Sequence, residues 1–225
     1  MEDKFKKILE LFPENLRKRI LSAVIIVPIV IIIICSWQLF FNTFIVSLAV
    51  FMGYEWITIA YEEDKKTNKW KFLGLLYIIS PCFSLMYLKS LNGGEDLIIW
   101  LLLVVIATDT AGMLVGGRFG GPKLAPSISP KKTWSGLAGG IIVSMMVGFL
   151  LSFIIFGDVI LYTLFSGILA IVEQCSDLLE SKFKRYFGVK DSGNLIPGHG
   201  GILDRVDGLT LTAPLIVLFS IIKGF

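Results

Sequence analysis

Between Ser181 and Asp207 the chain reads SKFKRYFGVKDSGNLIPGHGGILDRVD. Five basic residues (Lys182, Lys184, Arg185, Lys190 and Arg205) share these positions with three aspartates (Asp191, Asp204 and Asp207) and with His199, the only histidine in the chain. Glycines at 188, 193, 198, 200 and 201 let the backbone approach a ligand closely. Lysine and arginine donors beside glycine amides suit phosphate groups. Asp204 and Asp207 add hard oxygen ligands, and Mg²⁺ is commonly held by one or two carboxylates together with substrate phosphates. Cations for phosphate and carboxylates for Mg²⁺ point to a nucleoside triphosphate or pyrophosphate substrate. Phosphoryl chemistry asks for little beyond such positioning and charge stabilisation. His199 lies on a tight turn between Pro197-Gly198 and Gly200-Gly201. Orientation or phosphate contact fits it better than metal binding, because a hard Mg²⁺ site prefers oxygen.

Just upstream, Glu173, Asp177 and Glu180 are spaced i, i+4, i+7, which places them on one face of a helix. Three carboxylates on one stripe repel each other, and a metal ion or nearby lysines would resolve that. Two further acids, Asp109 and Glu55, also interrupt apolar runs. A charge at membrane depth is costly and usually functional. For Glu55, near the end of its run, snorkelling or pairing with a loop lysine accounts for the charge. A second polar stretch, LAPSISPKKTWSG at 124–136, carries Ser127, Ser129, Lys131, Lys132 and Thr133, with Trp134 at an interface. Pro122, Pro126 and Pro130 stop any helix from continuing there. It reads either as a basic connector with an aromatic anchor or as a second phosphate-binding loop, and the 181–207 stretch on the same side favours the latter.

The elements that must hold these groups follow from composition. Of 225 residues, 55% are hydrophobic and only 17% are charged, with a mean hydropathy of +0.77. A soluble domain carries roughly 45–50% apolar and about 25% charged residues, so the excess must face lipid. That excludes a cytosolic enzyme, a disordered chain and a secreted disulfide scaffold. Cys35, Cys82 and Cys175 stand alone in apolar runs and read as small buried hydrophobes. A bilayer core about 30 Å thick needs about 20 apolar residues in a helix. Seven spans are expected: 20–36, 39–60, 72–88, 97–116, 134–156, 158–180 and 208–223. The fold class is therefore all-α, a polytopic integral membrane protein with a polar cavity at its cytoplasmic face. Gly112 with Gly116, and Gly136 with Gly140, mark close helix packing.

Nineteen of the 21 basic residues fall on one side of these spans, and only Lys89 and Lys223 on the other. By the positive-inside rule the crowded side is cytoplasmic, in an inner or plasma membrane. The chain divides into a basic segment 1–19, an N-terminal bundle 20–116 and a C-terminal catalytic region 117–225 with cytoplasmic loops 117–133 and 181–207. Segment 1–19 lacks the pattern of a cleavable signal. Phe5, Ile8, Leu9 and Phe12 at helical spacing make it either an amphipathic surface helix or a plain topogenic flank.

These residues resemble a known family. Ser181, Phe183-Lys184-Arg185, Lys190-Asp191, Gly193, Pro197, His199-Gly200-Gly201 and Asp204-Arg205-Val206-Asp207 follow the signature of the phosphatidate cytidylyltransferases, or CDP-diacylglycerol synthases. The likeness extends to Asp177 through Ser181, to ISPKKTW at 128–134 and to Asp109-Thr110-Ala111. Ser176 stands where the family commonly has glycine, and Ser135 where a glutamate often follows the tryptophan. The resemblance implies CTP and phosphatidate as substrates, with CDP-diacylglycerol and pyrophosphate as products. It implies Mg²⁺ on Asp177 and Asp204, with a second cation close by; the acid stripe and the loop make Glu173 and Asp207 the next candidate ligands. Asp177, Asp204, Lys190 and His199 would be catalytic. Ser181, Lys184, Arg185, Asp191, Arg205, Lys131, Lys132 and Asp109 would bind substrate. Partners are these substrates and membrane lipids; no nucleic acid is expected, and a homodimer is left open. The rivals are a secondary transporter using the buried acids as a relay and a CTP-dependent lipid kinase.

Overall fold

The computed structural model describes residues 27–61, 68–193 and 201–225. The segment 1–19, His199 and the start of the first expected span lie outside them. Long runs of Leu, Ile, Val and Phe form helices because in lipid every backbone amide and carbonyl must bond within its own segment. They are α1 (Gln38–Tyr61), α2 (Asn68–Ser90), α3 (Gly94–Phe119), α4 (Trp134–Leu151), α5 (Val159–Tyr186), the single turn α6 (Leu203–Val206) and α7 (Leu209–Lys223). Among the described residues, six segments are long and apolar enough to cross a membrane, with α6 and α7 together making the last. Of the first expected span, residues 27–34 are helical, and Ser36 closes their end by donating to the Ile33 carbonyl at 2.6 Å.

The lateral surface is apolar, as a lipid-facing belt requires: Phe83, Ile106, Ile142, Phe153, Ile160 and Leu218 are all exposed. Inside, Trp100 of α3 is fully buried among Tyr162, Leu169 and Phe219, and its indole N–H donates to Ser166 Oγ at 2.9 Å. A second core lies at the end where α1 and α5 finish. There Trp56 stacks on Phe183 with ring centroids 3.7 Å apart and donates to the Trp70 carbonyl at 3.0 Å. Met52, Phe187 and Leu203 complete it. This core fastens the basic end of α5 to the N-terminal helices.

The paired glycines do bring helices together. A Cβ on Gly136 would sit 2.7 Å from the Gly112 carbonyl oxygen, and one on Gly140 would sit 3.1 Å from that of Thr108. Only glycine permits α3 and α4 to approach this far. The proline-rich stretch between them forms a short antiparallel hairpin, β1 (Lys123–Ala125) with β2 (Ser129–Thr133), pairing Lys123 with Thr133 and Ala125 with Ser129. Thr133 then caps α4 by accepting from the Gly136 amide at 3.1 Å.

Two expectations change. α5 does not stop at 180 but continues to Tyr186, and a helical turn resumes at Leu203. The connector is therefore much shorter than the 27 residues from 181 to 207, and Ser181, Lys184 and Arg185 are helical rather than in a loop. Helix persists because Phe183 and Phe187 keep burying an apolar face in the second core while the charges lie on the other face. At the opposite end, Lys89 is buried against Glu95 and the Ile34 carbonyl, and Lys223 meets Asp158 at 3.0 Å. The Lys223 hydrogen bond holds the Asp158 carboxyl below its ordinary range.

Candidate active site

One face of α5 supplies most of the site. Glu173, Asp177, Glu180, Ser181 and Lys184 recur at intervals of three and four, so their side chains line a single stripe. Asp207, arriving from the turn before α7, closes on that stripe. Asp177, Glu180 and Asp207 each place one carboxylate oxygen within 4.8 Å of the others. Glu180 is 1% exposed, and its Oε1 has no hydrogen-bond partner among the described residues. A buried carboxylate oxygen without a donor is costly. Three convergent carboxylate oxygens fit a hard divalent cation, which takes oxygen ligands.

Lysines answer part of the charge. Lys132, carried by β2, forms an ion pair with Asp177, and Ser181 Oγ donates to Asp177 Oδ1 at 3.2 Å. Lys184 bridges Glu180, at 2.6 Å, and Asp204. Asp204 is thus held differently from its neighbours. Its Oδ1 accepts from Lys184, while its Oδ2 accepts from the Ser192 amide at 3.0 Å and the Gly201 amide at 2.9 Å, with Ser192 Oγ also at 3.0 Å. Asp204, expected with Asp177 as a metal ligand, lies against Lys184, the amides of Ser192 and Gly201, and within side-chain reach of Glu180.

Glu173 is fully buried further along the stripe, with its Oε2 accepting from Gln174 at 2.8 Å and its Oε1 without a hydrogen-bond partner among the described residues. Asp109 of α3 lies within side-chain hydrogen-bonding reach of it. These two acids form a pair beside the convergent trio, with Asp109 exposed and Glu173 buried. Lys131, Arg185, Lys190, Asp191 and Arg205 are exposed at the same end of the molecule, and Arg185 donates to the Val189 carbonyl at 2.9 Å. His199 lies outside the described residues.

The profile of the cytidylyltransferase family matches residues 68–222, which takes in the acid stripe, the hairpin and the connector. The chain belongs to this family. A phosphatidate cytidylyltransferase of Rickettsia felis is 37% identical over 217 residues, covering 93% of this chain and 94% of its own. One from Rickettsia bellii is 40% identical over 214 residues, covering 92% and 91%. One from Brucella suis is 44% identical over 167 residues, covering 70% of this chain and 59% of its own.

Within this site, two participants escape a reading of spacing alone. Glu180 was visible only as the third member of the stripe, and its place in the trio depends on where Asp207 lands. The sequence position of Glu55 suggests that it snorkels or pairs with a loop lysine. The structure corrects this: Glu55 is 2% exposed and accepts from the amides of Ile202, at 2.8 Å, and Leu203, at 2.9 Å. Its partners are backbone amides 147 and 148 residues away, which no local pattern can reveal. Ser176, where glycine was expected, is buried and ties α5 to the last span: it donates to the Asp207 carbonyl and accepts from the Leu211 amide at 3.3 Å.

Proposed function

We propose that this chain transfers the cytidylyl group of CTP to phosphatidate at the cytoplasmic membrane surface. A phosphatidate oxygen attacks the α-phosphorus of CTP, the bond from that phosphorus to the bridging oxygen of the β-phosphate breaks, and CDP-diacylglycerol and pyrophosphate leave. The observation that carries this reading is the match to relatives named phosphatidate cytidylyltransferase over more than nine-tenths of both chains. The site's chemistry supports it, since convergent carboxylates beside phosphate-binding cations suit a phosphoryl reaction, whereas a proton relay would use the acids but not the cations.

Asp177, Glu180 and Asp207 are the residues that would hold Mg²⁺. When bound there, the ion would neutralise charge on the CTP phosphates as it builds towards the transition state. The chain's own groups do the remainder. Lys132 and Ser181 orient Asp177. Asp204 fixes the Lys184 ammonium beside Glu180. Arg185, Lys190, Arg205 and Lys131 present cations to the CTP and lipid phosphates, and Asp191 adds a polar contact at the connector. Asp109 and Glu173 add a second pair of acids beside the trio.

The test uses purified protein in detergent micelles with CTP, phosphatidate and Mg²⁺. CDP-diacylglycerol and pyrophosphate should appear in equal amounts, and chelation of Mg²⁺ should stop both. A lipid kinase would yield CDP and a phosphorylated lipid. A transporter would yield neither.

A further inference from the structure

Glu55 stands apart from the reaction site in sequence and lies outside the segment matched by the family profile, yet it reaches the connector that shapes the site. A carboxylate buried to this degree is costly unless donors satisfy it. Glu55 is satisfied by the amides of Ile202 and Leu203, and by Ser192 Oγ at 3.1 Å from its Oε2. Ser192 Oγ also lies 3.0 Å from Asp204 Oδ2, so its single proton serves one carboxylate at a time, while the Ser192 amide holds Asp204 throughout. Two glycines make room for this contact. A Cβ on Gly201 would lie 2.0 Å from Ser192 Oγ and 2.6 Å from Glu55 Oε2, and one on Gly193 would lie 3.0 Å from Glu55 Oε1. The backbone on both sides of the connector therefore closes directly onto this one carboxylate.

We infer that Glu55 is a positioning residue for the cytidylyl transfer. From α1 it pins both ends of the connector, Ser192 and the 201–203 turn, and so fixes Asp204, which in turn aims Lys184. Glu55 touches no substrate and acts through Ser192 and the backbone. The inference rests on the cytidylyltransferase reading above.

The experiment compares E55Q, S192A and the double variant with wild type, assaying CDP-diacylglycerol formation per folded molecule under saturating Mg²⁺. Glutamine keeps the size of Glu55 but turns one acceptor into a donor facing other donors. Loss of a group that orients a ligand through another residue typically costs about ten- to a hundredfold in activity. E55Q should lose kcat by about that factor while the KM for CTP moves by less than about threefold. The double variant should fall no further than the worse single one, as residues in one network are non-additive. Full kcat in E55Q, or losses that multiply in the double variant, would overturn the inference. A loss confined to the amount of folded protein would overturn it too. If E55Q fails to accumulate, S192A and G201A disturb the same contact from the connector's side, and full kcat in both overturns it. The wild-type control separates the two claims. An inactive wild type defeats the cytidylyltransferase reading and this inference with it, whereas an active wild type with an equally active E55Q defeats the inference alone.

Discussion

At the scale of single residues, the carboxylates of the site divide by where the fold places them. Asp204 has protein donors on both oxygens. Asp177 and Asp207 converge with Glu180, whose Oε1 has no hydrogen-bond partner among the described residues. Similar residue types therefore predict different kinetics. Asp→Asn keeps the size and removes the anionic ligand, and a lost charge contact to a phosphoryl transition state costs several kcal/mol. At 1.36 kcal/mol per factor of ten, D177N and D207N should each cut turnover by roughly a thousandfold and raise the Mg²⁺ concentration for half activity. D204N should also lower turnover, by loosening Lys184 and the connector, but leave the Mg²⁺ requirement unchanged. Pyrophosphate release titrated against Mg²⁺ distinguishes them. A Mg²⁺ requirement that rises in D204N as far as in D177N would make Asp204 a ligand and defeat the division. The types of these residues, and the stripe on α5, were legible in the sequence because helical periodicity is local. Which carboxylates meet was not, because the approach of Asp207 and the capture of Asp204 depend on where Ser192 and residues 201–203 meet Glu55 of α1.

At the scale of elements, the hairpin and α4 are placed by backbone proximity. The proline pattern showed that no helix crosses 122–130, and the glycine pairs announced a close helix contact; both are properties of local sterics. That the hairpin would lay Lys132 against Asp177 was not legible, since it depends on how far β2 extends from a cap at Thr133. The extension of α5 to Tyr186 was missed for a related reason. Charged residues after 180 look like the end of a span, while the aromatic face that keeps the helix going is apparent only once Trp56 and Trp70 are in place. A single methyl tests the linkage. G136A would drive a Cβ to 2.7 Å from the Gly112 carbonyl oxygen and 3.2 Å from the capping hydroxyl of Thr133. Overpacking of this kind costs about 1–3 kcal/mol, so thermal unfolding in detergent should shift downward. Because β2 enters α4 through Thr133, turnover per folded molecule should fall as well. Unchanged turnover with a lowered melting temperature would mean that the hairpin holds Lys132 independently of the α3–α4 contact.

At the scale of the whole molecule, the charge asymmetry of the sequence and the connectivity of the helices coincide. Successive spans alternate in direction, so the link after α1, the hairpin and the connector after α5 share one end, and that end holds Lys131, Lys132, Lys184, Arg185, Lys190 and Arg205. The two basic residues assigned to the other end have local duties there: Lys89 joins Glu95 to the Ile34 carbonyl, and Lys223 binds Asp158. They are accounted for by packing, which leaves the topogenic signal undivided. If the positive-inside rule governs, the site opens to the compartment that contains CTP. With Cys35, Cys82 and Cys175 replaced by serine, K190C should resist a membrane-impermeant maleimide in intact cells and react once they are permeabilised. F225C, at the exposed end of the last span, should react without permeabilisation. The reverse pattern would place the acidic trio and the phosphate-binding cations outside the cell, away from any supply of nucleoside triphosphate, and the proposed reaction would lose its substrate however well the residues are arranged.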